Sequence, residues 1–139
     1  MVEQTTARRP PAIEPLFTGE DVLRFHELVR QMPIAQDLIR YAVRLGASSR
    51  PGQVGSPGFV TDWVSWGAGT RAGQSLVLGA KARALLQGRT HVSAEDIRVL
   101  AAPVLRHRVL VNYRAEAEGM SVETIIRRLL ENWSETGSA

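Results

Sequence analysis

The sequence predicts an all-α fold, a small helical bundle with one or two short extended segments. Three observations carry that reading. Apolar residues recur at helical spacing in several separate stretches. Ser or Thr followed three residues later by Asp stands just ahead of two of those stretches, where helix caps belong. No apolar strands alternate with the helices as a parallel sheet requires, and no repeat-protein period occurs.

Composition sets the frame. With 139 residues, 44% hydrophobic and 22% charged, the chain supports one core and not two. The absence of cysteine excludes disulfides and thiolate metal sites and is compatible with a reducing compartment, so a cytoplasmic location is expected. No stretch approaches the roughly 20 apolar residues that span a bilayer, and MVEQTTARRPP lacks the apolar segment of a secretory signal. The net charge is +3, and Lys81 is the only lysine. Nearly all the positive charge is therefore guanidinium, whose planar fork suits phosphate and carboxylate.

Residues 1–17 contain Pro10, Pro11 and Pro15 and read as an extended connector. A helical domain over 18–133 follows. Thr18 and Asp21 form a capping-box pattern ahead of Val22, Phe25, Val29 and Met32. Pro33 marks a new helix with Ile34, Leu38, Tyr41, Ala42 and Leu45, which Gly46 is expected to cap. Residues 47–58, ASSRPGQVGSPG, read as a mobile surface loop. Phe59, Val60, Trp63, Val64 and Trp66 then cluster in a short helix or extended piece.

A long helix is predicted from about Thr70 to Gln87, ended by Gly88, with Ala72, Leu76, Ala80 and Leu85 as buried candidates. Gly73 and Gly79 weaken it unless another element packs closely there. Ser93 and Asp96 cap a helix carrying Ile97, Leu100 and Ala101, which Pro103 is expected to interrupt. Val109 to Val111 look extended, and Ser121 caps a last amphipathic helix reaching Trp133. Residues 134–139 read as a disordered tail. The expected core is Phe25, Leu38, Tyr41, Leu76, Leu85, Ile97, Leu100, Ile126 and Leu129.

No GxxxxGK[ST] is present, so the loop that wraps phosphates in a P-loop enzyme is missing from this segment. His26, His91 and His107 are far apart and lack the i, i+4 pairing of a zinc site, so no metal site is expected. The sharpest local signal is Gly67-Ala68-Gly69-Thr70-Arg71, running into the long helix. Free amides, the positive end of the helix dipole and close backbone approach at glycine all favour an anion there. An arginine in that turn opposes the dipole and suggests an external anion, unless Arg71 simply bonds a neighbouring carboxylate.

The segment WGAGTRAGQSLVLGAKARALLQGRTHVSAEDIRVLAAPVLRHRVLV resembles the second half of the C-terminal lid domain of MoxR-type AAA+ ATPases. RQMPIAQDLIRYAVRL is similar to the family's first two lid helices, and VEQTTARRPPAIEPLFTGEDV to its connector from the core. The resemblance spans about 2–133. It implies that Arg71 is the sensor-2 arginine that reaches the γ-phosphate of ATP held, with Mg2+, by a core domain of the same protein. Gly67, Ala68, Gly69 and Thr70 would then be the nucleotide-facing turn. Thr70 stands where the family commonly has Pro. The resemblance further implies an ATPase that forms a homo-oligomeric ring, a hexamer, and that remodels or matures partner proteins, with a von Willebrand factor A domain protein among them. The run Arg106-His107-Arg108 matches a family feature for which helix capping or subunit packing is the expected role.

Two other readings stay open. AKARALLQGRTHVSAEDIRVL also resembles half of a histone fold, which would dimerise and bind nucleic acid. Glu95, Asp96, Glu116, Glu118, Glu123, Glu131 and Glu135 interleave with the arginines and argue against a continuous basic face. The domain could also be a non-catalytic interaction module, in which case Arg71 would be paired internally.

Overall fold

A computed structural model describes residues 14–136, with side chains described as far as Trp133. Along the chain run α1 (Gly19–Gln31), α2 (Gln36–Ser48), α3 (Gly58–Trp63), β1 (Val64–Trp66), α4 (Thr70–Leu86), α5 (Ala94–Leu105), β2 (Leu110–Val111), α6 (Tyr113–Ala117) and α7 (Val122–Thr136). The all-α bundle and its two short extended pieces are as expected. No helix among the described residues is long and apolar enough to cross a membrane.

Helix α4 is the axis of the bundle and makes its largest interfaces with α5 and α2. Its buried seam, Ala72, Leu76, Ala80 and Ala84, repeats every four residues and is mostly methyl groups, so neighbouring helices come close. The two glycines lie where neighbours press hardest. A Cβ at Gly73 would meet Val43 Cγ2 of α2 at 3.3 Å, and one at Gly79 would meet Leu100 Cδ1 of α5 at 2.9 Å. Their helix-weakening cost is thus offset by packing. Leu45, Ile97, Leu105, Ile125, Ile126 and Leu129 fill the core around this axis.

Both capping boxes form. Thr18 Oγ1 accepts the Asp21 amide while Asp21 Oδ2 accepts the Thr18 amide at 2.8 Å. Ser93 and Asp96 repeat the arrangement at α5, and the Thr124 amide donates to Ser121 Oγ ahead of α7. Strands β1 and β2 pair antiparallel, with Trp66 opposite Leu110.

Several expectations need correction. Gly46 does not end α2, which runs on to Ser48 with Gly46 buried inside it. Residues 47–58 are not wholly a surface loop: Ser48 and Ser49 are buried, their hydroxyls donating to the Leu45 and Gly46 carbonyls. Helix α2 begins at Gln36, three residues after Pro33.

Pro103 does not interrupt α5. It lies two residues before the end, on the exposed side with Val99, whose carbonyl loses its helical donor there. Around it the last turn stays bonded: the Arg106 amide donates to Ala102 O at 3.0 Å, and the Arg106 and Arg108 side chains donate to Ala102 O and Val104 O. The arginines of the Arg106-His107-Arg108 run thus serve helix capping.

Of the expected core, Leu76, Ile97, Ile126 and Leu129 are buried, and Leu38, Tyr41 and Leu100 pack half-buried against them. Phe25 is 44% exposed and Leu85 37%. No residue of α1 is buried, and Phe25 instead meets Phe17 edge to face at 5.2 Å. Leu85 follows Ala84 by about 100° of helix rotation and so leaves the buried seam. Within the connector and tail expected from sequence, 1–13 and 137–139 lie outside the described residues. Glu14–Phe17 is exposed, and α7 continues three residues past Trp133.

Candidate functional site

The turn before α4 is built by the end of α2. Gly67 is buried so tightly that a Cβ would lie 2.3 Å from Ser49 O and 2.6 Å from Arg50 Cα, contacts no side chain tolerates. Ala68 is also buried, and its amide donates to Ser49 Oγ at 2.9 Å. The same hydroxyl donates to Gly46 O at 2.7 Å, so one group uses both its acceptor and its donor. Gly67 and Ala68 are therefore supports. The Ala68 amide is already engaged.

The next three residues are exposed. Gly69 is the N-cap, with φ −78° and ψ −179°, and makes no side-chain cap. The first helical bond runs from the Ala72 amide to Gly69 O at 3.0 Å, so the Thr70 and Arg71 amides precede it. Helices α1 and α5 carry acids in their first turns, whereas α4 has none. Its positive end is uncompensated from within and carries a further cation, Arg71. Arg71 forms no ion pair among the described residues, so the carboxylate partner that would make it structural is not there. An exposed guanidinium beside free amides on a turn fixed from below fits an anionic group such as a nucleotide phosphate.

The other candidates behave differently. His26 is on α1, His91 precedes α5 and His107 follows it, and no three metal-ligating side chains converge among the described residues. Asp96, expected only as a cap, is completely buried. Arg89 Nη1 donates to its Oδ2 at 2.8 Å, Arg83 of α4 bonds Oδ1, and the Ser93 amide and hydroxyl complete the set. Above all the Arg89 bonds, and with them those of Ser93 and Arg83, hold the Asp96 carboxyl well below the usual carboxylate range against the opposing effect of burial. This cluster locks α4 to α5.

Ser49 and Arg50 are the residues that sequence reasoning missed. They sit in a Gly/Ser/Pro-rich segment, and Gly46, which carries the signature of a helix cap, masks the continuation of α2 toward the turn.

The AAA lid domain family matches residues 60–129, from α3 into α7. The match includes the α4–α5 segment that also suggested a histone fold. The chain is 33% identical over 123 residues to Chaperone MoxR1 of Mycobacterium tuberculosis, covering 88% of this chain and 32% of that protein. It is 28% identical to YeaC of Bacillus subtilis, a protein of unassigned function, covering 85% of this chain and 34% of the relative. A crystal structure of a presumed ATPase from Cytophaga hutchinsonii superposes with a TM-score of 0.80 at 30% identity, over 94% of this chain and 40% of that one. The chain thus spans about a third of the length of the curated relatives it matches. With the fold, the family match and these relatives in agreement, the chain belongs to the AAA lid domain family and is a lid domain of the MoxR type of AAA+ ATPase.

Proposed function

We propose that this lid closes over ATP held by a core domain of the same protein, with Arg71 as the sensor-2 arginine at the γ-phosphate. The observation that carries the proposal is an exposed arginine, without an ion-pair partner among the described residues, in the first turn of an uncapped helix whose approach is fixed by Gly67, Ala68 and Ser49. Gly69, Thr70 and Arg71 face the phosphates; Gly67 and Ala68 hold them in place. The core supplies the phosphate loop and Mg2+.

ATP draws core and lid together through Arg71, and loss of the γ-phosphate releases that link, so the lid turns as a body that neighbouring subunits of a hexameric ring feel. The work so delivered is remodelling or maturation of partner proteins in the cytoplasm, a von Willebrand factor A domain protein being one candidate partner. By itself this 139-residue segment hydrolyses no ATP, because it has no phosphate loop.

The test is Arg71→Ala in the full-length ring. Removing a preorganised donor from a transferring phosphoryl group typically lowers the rate about 100- to 1000-fold. An exposed substitution away from packing changes stability by no more than about 0.5 kcal/mol. Arg71→Lys should restore only part of the activity, lacking the guanidinium fork. Near-normal hydrolysis by the Ala variant would remove Arg71 from the site, and a large fall in melting temperature would make it structural.

A further inference from the structure

Arg50 follows Ser49, the C-cap of α2, and its Nε is buried with no hydrogen-bond partner. A guanidinium nitrogen withdrawn from water without an acceptor is an uncommon arrangement that calls for a ligand or a partner. No ion pair satisfies the rest of the group among the described residues. Arg50 lines two cavities that also share Gly69. One, of about 370 Å³, lies between Arg50, Gln53, Trp66 and Gly69. The other, of about 250 Å³, runs along Arg50, Gly69, Thr70 and Gln74 at the start of α4. No Asp or Glu lines either cavity, so nothing within them neutralises the arginine.

We propose that Arg50 is a second phosphate-binding arginine of this lid, placed across the cavity from the first turn of α4 and holding a nucleotide phosphate there. This rests on the reading that the lid meets a nucleotide, but not on the role given to Arg71. The chemistry follows from the guanidinium: its terminal N–H groups, engaged in no ion pair among the described residues, form a planar set of donors for phosphate oxygens that lysine cannot offer, while the buried Nε beside them reports on any ligand that binds. Gly67 makes the placement possible, since its lack of a side chain lets the turn lie directly on the Arg50 backbone.

The 139-residue chain itself serves for the test. Its Arg50 Nε–H signal in a nitrogen-15 correlation spectrum is identified by its loss in Arg50→Lys. Tripolyphosphate, ATP and orthophosphate are then titrated separately at constant ionic strength, up to about 20 mM, a range suited to millimolar affinity. The expected result is a saturable shift of Arg50 Nε–H and of the Gly69 and Thr70 amides with tripolyphosphate and ATP. Arg50→Ala and Arg50→Lys should weaken that binding about tenfold while keeping the wild-type spectrum elsewhere. A comparable response to orthophosphate would make the site one for free phosphate and overturn the nucleotide assignment.

Arg71→Ala separates the two readings. If it leaves binding unchanged while the Arg50 variants weaken it about tenfold, the Arg71 role fails and the Arg50 site stands. If Arg71→Ala weakens binding and the Arg50 signal never moves, Arg50 is excluded. No saturable shift at Arg50 with any of the three probes overturns the proposal outright.

Discussion

Ser49 and Ala68, 19 residues apart, are joined by a single hydrogen bond of 2.9 Å that fixes where the first turn of α4 begins. Both partners are fully buried, so neither can turn to water if the other is removed. Ser49→Ala should therefore cost about 1–3 kcal/mol, the desolvation penalty of a stranded amide. Chemical denaturation of the two proteins measures it. A loss under about 0.5 kcal/mol would mean the turn holds itself.

Gly67→Ala should be harsher than either change at α4's own glycines. The added methyl would meet backbone atoms of Ser49 and Arg50 at 2.3–2.6 Å, and backbone does not step aside cheaply. A destabilisation of about 3 kcal/mol or more is expected from thermal melting, with the Gly69 and Thr70 amides the most shifted in the spectrum.

Gly79→Ala provides the contrast. Its methyl would meet only the tip of Leu100, a flexible side chain, at 2.9 Å. The gain in helix propensity of up to about 1 kcal/mol opposes a small repacking cost. Stability should stay within about 1 kcal/mol of wild type. A loss like that of Gly67→Ala would show that α4 and α5 cannot give at that crossing.

Asp96 sets the acid limit of the domain. Its folded-state carboxyl ionises well below the unfolded value near 4, so the stabilisation is complete above that pH and is lost as acid protonates the folded form. Melting temperature should be flat on this account at neutral pH and fall steeply below about pH 4. Asp96→Asn should remove much of that dependence. It should also cost about 2–4 kcal/mol, below the full penalty for breaking a buried pair because Arg83 and Arg89 remain 27% and 28% exposed.

Helical period and caps were legible in the sequence because they are local: Thr18 with Asp21, Ser93 with Asp96 and Ser121 each act within three residues. The turn Gly67 to Arg71 was legible for the same reason, and the start of α4 at Thr70 follows from it. What escaped depends on contacts distant in the chain. Ser49 looked like a loop residue because its value lies in Ala68, and Asp96 looked like a cap because Arg83 and Arg89 belong to other turns. Phe25 carries the right period but packs on Phe17 and stays 44% exposed instead of entering the shared core. The short α6 carries a local signal of the same kind in Asn112, whose Oδ1 accepts the Ala115 amide at 3.0 Å.

Helix α1 keeps every one of its 13 residues in contact with solvent, while the buried Met32 at its end and a bond from Lys81 Nζ to Arg30 O fasten it to the rest. Opening it therefore exposes little apolar surface, and its amides should exchange with deuterium long before those of α4 and α5. The domain has a hierarchy of melting: its first helix can let go and return while the arginine-bearing end of α4 keeps its place.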